Sequence, residues 1–217
     1  MINKIQVNKK LEVLETIIRD RETGCAQLKD ALYALGKTFG EEIFYERQTT
    51  PFRITTPLFY KFSGKKLQQT EGESVIVSTK DDYQYFAKGI ADAFTSTYQG
   101  WINFEGARGK NVFSSPVRDI KLPEVKSGKS VQRVIIAKSV IASGCTAISL
   151  AKRAYEEYMP RELIVVAPFY STQGADELQA ELKNAEIYAA FGPDEIDSDG
   201  LLVPGVGNID ARLAECG

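Results

Sequence analysis

The 217 residues carry 27 Lys and Arg against 29 Asp and Glu, a formal net charge of -2, so no excess of positive charge serves a nucleic-acid or membrane partner. Hydrophobic residues at 43% and charged residues at 26% suit a globular chain that buries a proper core, read as a single domain over 1–217. Histidine is absent, which excludes His-based triads, His-rich zinc sites and imidazole general bases.

The first stretch, MINKIQVNKKLEVLETIIRDRETG, is charged every few residues and has no apolar run of secretory-leader length. No later run approaches the span of a membrane helix, and a cytoplasmic location is expected. Cys25, Cys145 and Cys216 lie far apart without a CxxC pair and read as reduced thiols. Leu28, Ala31, Leu32, Leu35, Phe39 and Ile43 recur at helical spacing and predict a long amphipathic helix over 25–45. Pro51 and Pro57 break that pattern, so 49–58 reads as a linker or edge segment. The aromatic and basic stretch 59–69 reads as a short hairpin arm, one place where a partner subunit is grasped.

Residues 74–78 (SVIVS) predict a short buried strand, 83–95 a helix and 101–104 another strand. The polar, Gly/Ser/Pro-punctuated stretch 106–123 reads as a long loop or extended arm. Strand 133–137, a loop of small residues at 139–145, helix 146–159, strand 163–167, helix 172–183 and strand 185–190 complete the pattern. Strands alternating with helices predict the α/β class: a mostly parallel central sheet with helices on both faces, plus a small arm or hood.

Between strand and helix stand Ala142, Ser143, Gly144, Cys145 and Thr146. Small residues let successive N–H groups turn into one concavity, and the next helix adds its unpaired first donors and dipole. Ser143 and Thr146 can donate from their hydroxyls. The pattern fits a phosphate cradle, and it also fits a plain strand-to-helix turn with a Ser or Thr cap. Cys145 reads as a small packed residue or, at a helix N-terminus, as a reactive thiol.

Two segments carry a family resemblance. RVIIAKSVIASGCTAISLAKRAYEE resembles the phosphoribosyl-diphosphate segment of the uracil phosphoribosyltransferase family, and GLLVPGVGNIDARL is similar to the C-terminal segment that encloses uracil there. IVVAPFYSTQGADELQAELKNAEIYAAF and IIRDRETGCAQLKDALYALGKTFGEEIFYE also match that family in order and character. The resemblance covers nearly the whole chain and is weakest over 49–97. It implies the type I phosphoribosyltransferase fold, with UMP formed from uracil and phosphoribosyl diphosphate in pyrimidine salvage, Mg2+ as cofactor where the protein is active, and a homodimer or higher oligomer.

Carried over by position, the resemblance assigns Lys138, Ser139, Ala142, Ser143, Gly144, Cys145, Thr146, Arg108 and Asn208 to the phosphoribosyl and phosphate end. It assigns Leu202, Gly207, Asn208 and Ile209 to the base, which the family holds largely through main-chain groups. Arg108, counted back from Lys121, Leu122 and Pro123, falls where the family has a donor-contacting Arg; it also reads as a solvated loop residue.

Three departures stand out. Lys138 replaces the Asp that accepts from the ribose hydroxyls, and an ammonium cannot accept. Asp81, or Lys80 after a one-residue shift, falls where the family has an Arg, and Asn208 where it has an Asp. Lys138 pairs with a phosphate or is a solvated strand-end lysine. Each lost charged contact costs about 1.5–3 kcal/mol. The expectations are an active transferase, a catalytically silent relative that binds a nucleotide or phosphate ligand as regulator or scaffold, or a transferase for another base or donor. All three share one geometric requirement: the amides that open the helix after Cys145 face a pocket closed by the turn at Pro204 and Gly205.

Overall fold

The computed structural model describes residues 2–68, 72–104, 112–113, 117–125 and 130–214. The chain opens with β1 (Ile2–Lys4) and α1 (Lys9–Arg19), where the Asn8 side chain caps the helix by accepting from the Leu11 N–H. Neither was expected from the charged N-terminal pattern. α2 (Cys25–Gln48) buries Leu28, Leu32, Leu35, Phe39 and Ile43 and runs on past 45. Cys25, at its start, is disulfide-bonded, so the reading of three reduced thiols does not hold for it; sequence spacing carries no record of which thiols the fold brings together.

β2 (Thr49–Thr55) and β3 (Lys61–Leu67) pair antiparallel, with Thr49 opposite Leu67 and Thr55 opposite Lys61. The arm is therefore built from both 49–58 and 59–69. Pro51 is tolerated because each strand of a two-stranded ribbon keeps an open edge. β4 (Glu73–Thr79) is followed by α3 (Lys80–Tyr83) and α4 (Phe86–Ala91), two short helices where one was expected. Gln99 Nε2 donates to the Tyr83 carbonyl at 2.7 Å, satisfying an α3 end group that continuation of the helix would otherwise satisfy. β5 (Thr97–Phe104) and β6 (Val117–Lys121) pair antiparallel, so part of the expected loop 106–123 is an edge strand.

Then come β7 (Val131–Ala137), β8 (Val140–Ile141), α5 (Cys145–Tyr158), β9 (Glu162–Val166), β10 (Phe169–Ser171) and α6 (Thr172–Glu181). β11 (Ala185–Ala189), β12 (Phe191–Ile196), β13 (Leu202–Val203) and α7 (Ile209–Ala214) complete the described chain. The main sheet has the order β1-β11-β9-β7-β4-β5-β6, parallel throughout except between β5 and β6. Alternate strand residues point to opposite faces. Ile76, Ile135, Ile164 and Val166 join the buried cluster with α1, α2 and α4, while Val75, Val77, Val134 and Ile136 join the one with α5 and α6. Both faces are covered, which is why these strands read as continuous apolar runs.

Strands β7, β9 and β11 each break at their carboxyl end and resume as β8, β10 and β12. These continuations form a second sheet, with β8, β10 and β12 parallel and β13 antiparallel to β12.

α2 and α4 cross in backbone contact. A Cβ on Gly36 would lie 2.0 Å from the Phe86 carbonyl oxygen, and one on Gly89 would lie 2.2 Å from that of Tyr33. Carbonyl groups of packed helices cannot swing aside. Gly36→Ala should therefore lower stability by at least about 1–3 kcal/mol, measured as a lower urea midpoint.

Candidate active site

α5 begins at the carboxyl end of the main sheet, where open α/β sheets hold their ligands. Its N-cap is Gly144, at φ +78 and with no side-chain cap, so the first amides of α5 keep their donors for a ligand. The approach to this helix is fixed from β10. Ser171 Oγ donates to the Ala142 carbonyl at 2.6 Å and accepts from the Gly174 N–H at 2.8 Å. A Cβ on Gly174 would stand 2.2 Å from the same carbonyl, so only glycine lets α6 come this close. Ser171 and Gly174 were not picked out from the sequence, where they look like an ordinary helix start.

A cavity of about 150 Å3 lies over this turn, and Ala142, Ser143, Gly144 and Thr146 form one wall with Lys138 beside them. Gly200, Leu201, Gly207, Asn208 and Asp210 face them, with Ile209. Leu201 is set by a turn in which Asp197 Oδ1 accepts from the Asp199 and Leu201 N–H groups, each at 2.9 Å. Asn208 Oδ1 accepts from the Ala211 N–H at 3.2 Å, which leaves the carboxamide NH2 as its group for a ligand. The two segments thus share one pocket, but its far wall is 200–201 and 207–210. Pro204 and Gly205 do not line it, and Gly205 is bonded to Arg19 and Asp194.

Charge at the pocket differs from what Lys138 alone suggests. Lys138 Nζ donates to Asp82 Oδ2 at 2.6 Å, with 14% of the lysine side chain and 2% of the aspartate side chain exposed. Asp82 also accepts from Thr79 Oγ1 at 3.2 Å and from the Ser139 N–H at 3.3 Å. Burial works to lower the Lys138 pKa, but Asp82, Asp210 and Asp81 together hold it above the usual lysine value. The Asp81 carboxyl lies above its ordinary range: desolvation against neighbouring protein comes first, then the Asp210 charge and that of Asp82, with Lys138 pulling the other way. Three carboxylates surround one ammonium.

Ser139, Cys145 and Leu202 do not line the cavity. Ser139 is fully buried; its N–H goes to Asp82, and its Oγ meets no hydrogen-bond partner among the described residues. Cys145 is a free, buried thiol 3.8 Å from the Ser143 carbonyl, a packing position. Leu202 pairs with Ile196 in the second sheet and buries its side chain in the core. Arg108 lies outside the described residues.

The family model for uracil phosphoribosyltransferases matches residues 5–214. The chain belongs to the uracil phosphoribosyltransferase family. A protein of that name from Haloarcula marismortui is 30% identical over 204 residues, covering 91% of this chain and 88% of the relative. One from Natronomonas pharaonis is 27% identical over 201 residues, covering 90% and 88%. Among solved structures, the AQ2163 protein from Aquifex aeolicus shares the fold with a TM-score of 0.76 at 21% identity, covering 98% of this chain and 97% of that one. Within this family fold, the position expected to hold an acid carries an internally paired lysine.

Two outcomes follow from the charges. Lys138→Ala strands the buried Asp82 carboxylate and should cost about 3–5 kcal/mol in urea unfolding, with Asp82→Asn in the same chain recovering much of it. Asp81 has a raised folded-state pKa, so its contribution favours the fold below the ordinary carboxylate range and is lost as pH rises through the elevated value. Asp81→Asn should therefore raise Tm at neutral pH, a gain that calorimetry would see vanish towards about pH 3.

Proposed function

We propose that the protein transfers the phosphoribosyl group of phosphoribosyl diphosphate to uracil, giving UMP and diphosphate. The observation that carries this reading is the single cavity shared by the uncapped start of α5 and the stretch 207–210. In the reaction the pyrimidine N1 bonds to the anomeric carbon, the bond from that carbon to the diphosphate oxygen breaks, and the N1 proton leaves to solvent or the departing diphosphate. Ala142, Ser143, Gly144 and Thr146 offer the phosphate its donors; Gly207, Asn208 and Ile209 offer the base main-chain groups. Ser139, Cys145 and Leu202 support these walls from behind. Lys138, beside the first wall, and Asn208, on the facing one, are proposed for the phosphoribosyl group, and Arg108 for the diphosphate. The chain is read as one phosphoribosyltransferase-like domain over 1–217, supported by a main sheet that runs from Ile2 to Ala189.

The rim favours the bond-breaking step in one respect and opposes it in another. Asp81 and Asp210 leave it net negative around Lys138, which stabilises positive charge growing at the anomeric carbon. The same charge repels incoming diphosphate. Asp82 spends its oxygens on Lys138, Thr79 and the Ser139 N–H, which leaves Asp81 and Asp210 as the carboxylates near the cavity that could face a Mg2+ ion carried in on the diphosphate oxygens. No step is assigned to the ion.

That repulsion favours a second reading, a nucleotide-binding member without turnover. The two separate on one preparation given uracil, phosphoribosyl diphosphate and either Mg2+ or Mn2+. UMP formation establishes the transferase. No UMP, with UMP at about 100 times its Kd still stabilising the protein by about 2.7 kcal/mol, establishes the silent binder; for a chain of this size that is a Tm rise of roughly 5–10 °C. Neither product nor shift removes both.

No helix among the described residues is long and apolar enough to cross a membrane. A cytoplasmic location belongs to this reading; the Cys25 disulfide weighs against it. A homodimer or higher oligomer also belongs to it, supported by the arm of β2 and β3, which exposes Phe52, Ile54, Phe59, Tyr60 and Phe62. Phe59→Asp with Phe62→Asp should shift the sedimentation coefficient to that of a monomer.

A further inference from the structure

Two arginines, Arg19 and Arg212, take up the adjacent backbone carbonyls of Gly205 and Val206 that lead into the base end of the cavity. Gly205 has φ +61, and a Cβ there would fall 1.8 Å from the Leu202 carbonyl oxygen. Both of its main-chain polar groups are engaged: the N–H with Asp194 Oδ2 at 3.2 Å, and the carbonyl with Arg19 Nη1 at 2.8 Å. Arg19 forks onto Asp194 at 2.8 and 3.3 Å, ties its Nε to Glu15 at 2.8 Å and lies 5.0 Å over the Phe169 ring. Next along the chain, the Val206 carbonyl accepts from Arg212 Nη1 at 2.9 Å. The same guanidinium reaches the Ile18 and Asp20 carbonyls at 2.6 and 2.8 Å, where α1 ends; Asp20 also accepts from the Thr23 N–H at 3.3 Å.

We propose that Arg19 and Arg212 are positioning residues for the pyrimidine, and that they make α1 part of the base site. They hold 205 and 206 so that Gly207, Asn208 and Ile209 present their main-chain groups to the ring. The inference rests on the base site read above. The phosphate end is held separately, by Ser171 and Gly174, and no bond of either arginine described here reaches 142–146. Loss of either guanidinium therefore acts on one end of the cavity only.

The test compares wild-type protein with Arg212→Lys and with Arg19→Gln combined with Asp194→Asn, which removes the buried carboxylate together with its partner. Amide hydrogen exchange over 203–209 should speed by about tenfold or more in both variants, with exchange over 142–148 unchanged. Uracil affinity, measured by calorimetry, should fall about 10- to 100-fold, while affinity for inorganic phosphate stays within about twofold. Unchanged exchange over 203–209, or equal losses for uracil and phosphate, would overturn the proposal. Faster exchange with unaltered uracil affinity would overturn it as well. If wild-type protein binds neither uracil nor UMP, the base site itself is misread and the pyrimidine role falls with it, whereas intact wild-type binding with unaffected variants sinks the arginine proposal alone.

Discussion

One ion pair ties together the carboxyl ends of the two central strands. Lys138 follows β7 and Asp82 lies in α3, directly after β4, and they meet at 2.6 Å with the aspartate almost wholly buried. Asp82 also takes the Ser139 N–H and the Thr79 hydroxyl, so one carboxylate fixes how the chain leaves both strands. The entry into β8, and hence the place where α5 starts, depends on that anchor. A buried carboxylate is tolerated here because each oxygen has a donor.

The pair also sets the chemistry open to the pocket. An isolated lysine would oppose an oxocarbenium-like transition state; a lysine held by Asp82 and flanked by Asp81 and Asp210 does not. On the transferase reading proposed above, the cost moves to the diphosphate end, where negative charge would be met by the amides and hydroxyls of 142–146. Backbone donors suit this task because their positions are set by the fold, and they need no counter-charge.

The second sheet is what turns a general α/β frame into a pocket. By breaking and resuming, β7, β9 and β11 carry β8, β10 and β12 beyond the main sheet. Asp194 on β12 reaches Gly205, and Ser171 at the end of β10 reaches Ala142. Small residues recur at these approaches because a side chain would strike backbone, as at Gly174.

Much of this was legible locally. Apolar runs such as Val75 to Val77 and Val134 to Ala137 mark buried parallel strands, since both faces of the sheet are covered. The small residues from Ala142 to Thr146 mark a tight turn into a helix for reasons internal to the segment. α1 escaped notice because three buried residues, Leu11, Leu14 and Ile18, are diluted by charge, and β1 because three residues carry no periodicity. Thus the sequence by itself determined the α/β class, the succession of buried strands and helices along its second half and the tight turn of small residues into α5, all matters of short-range pattern. Only the tertiary structure decided the partner of Lys138, 56 residues away, and that of Arg19, 175 residues away. Coulomb and hydrogen-bond energies depend on distance in space, and folding sets that distance independently of separation along the chain.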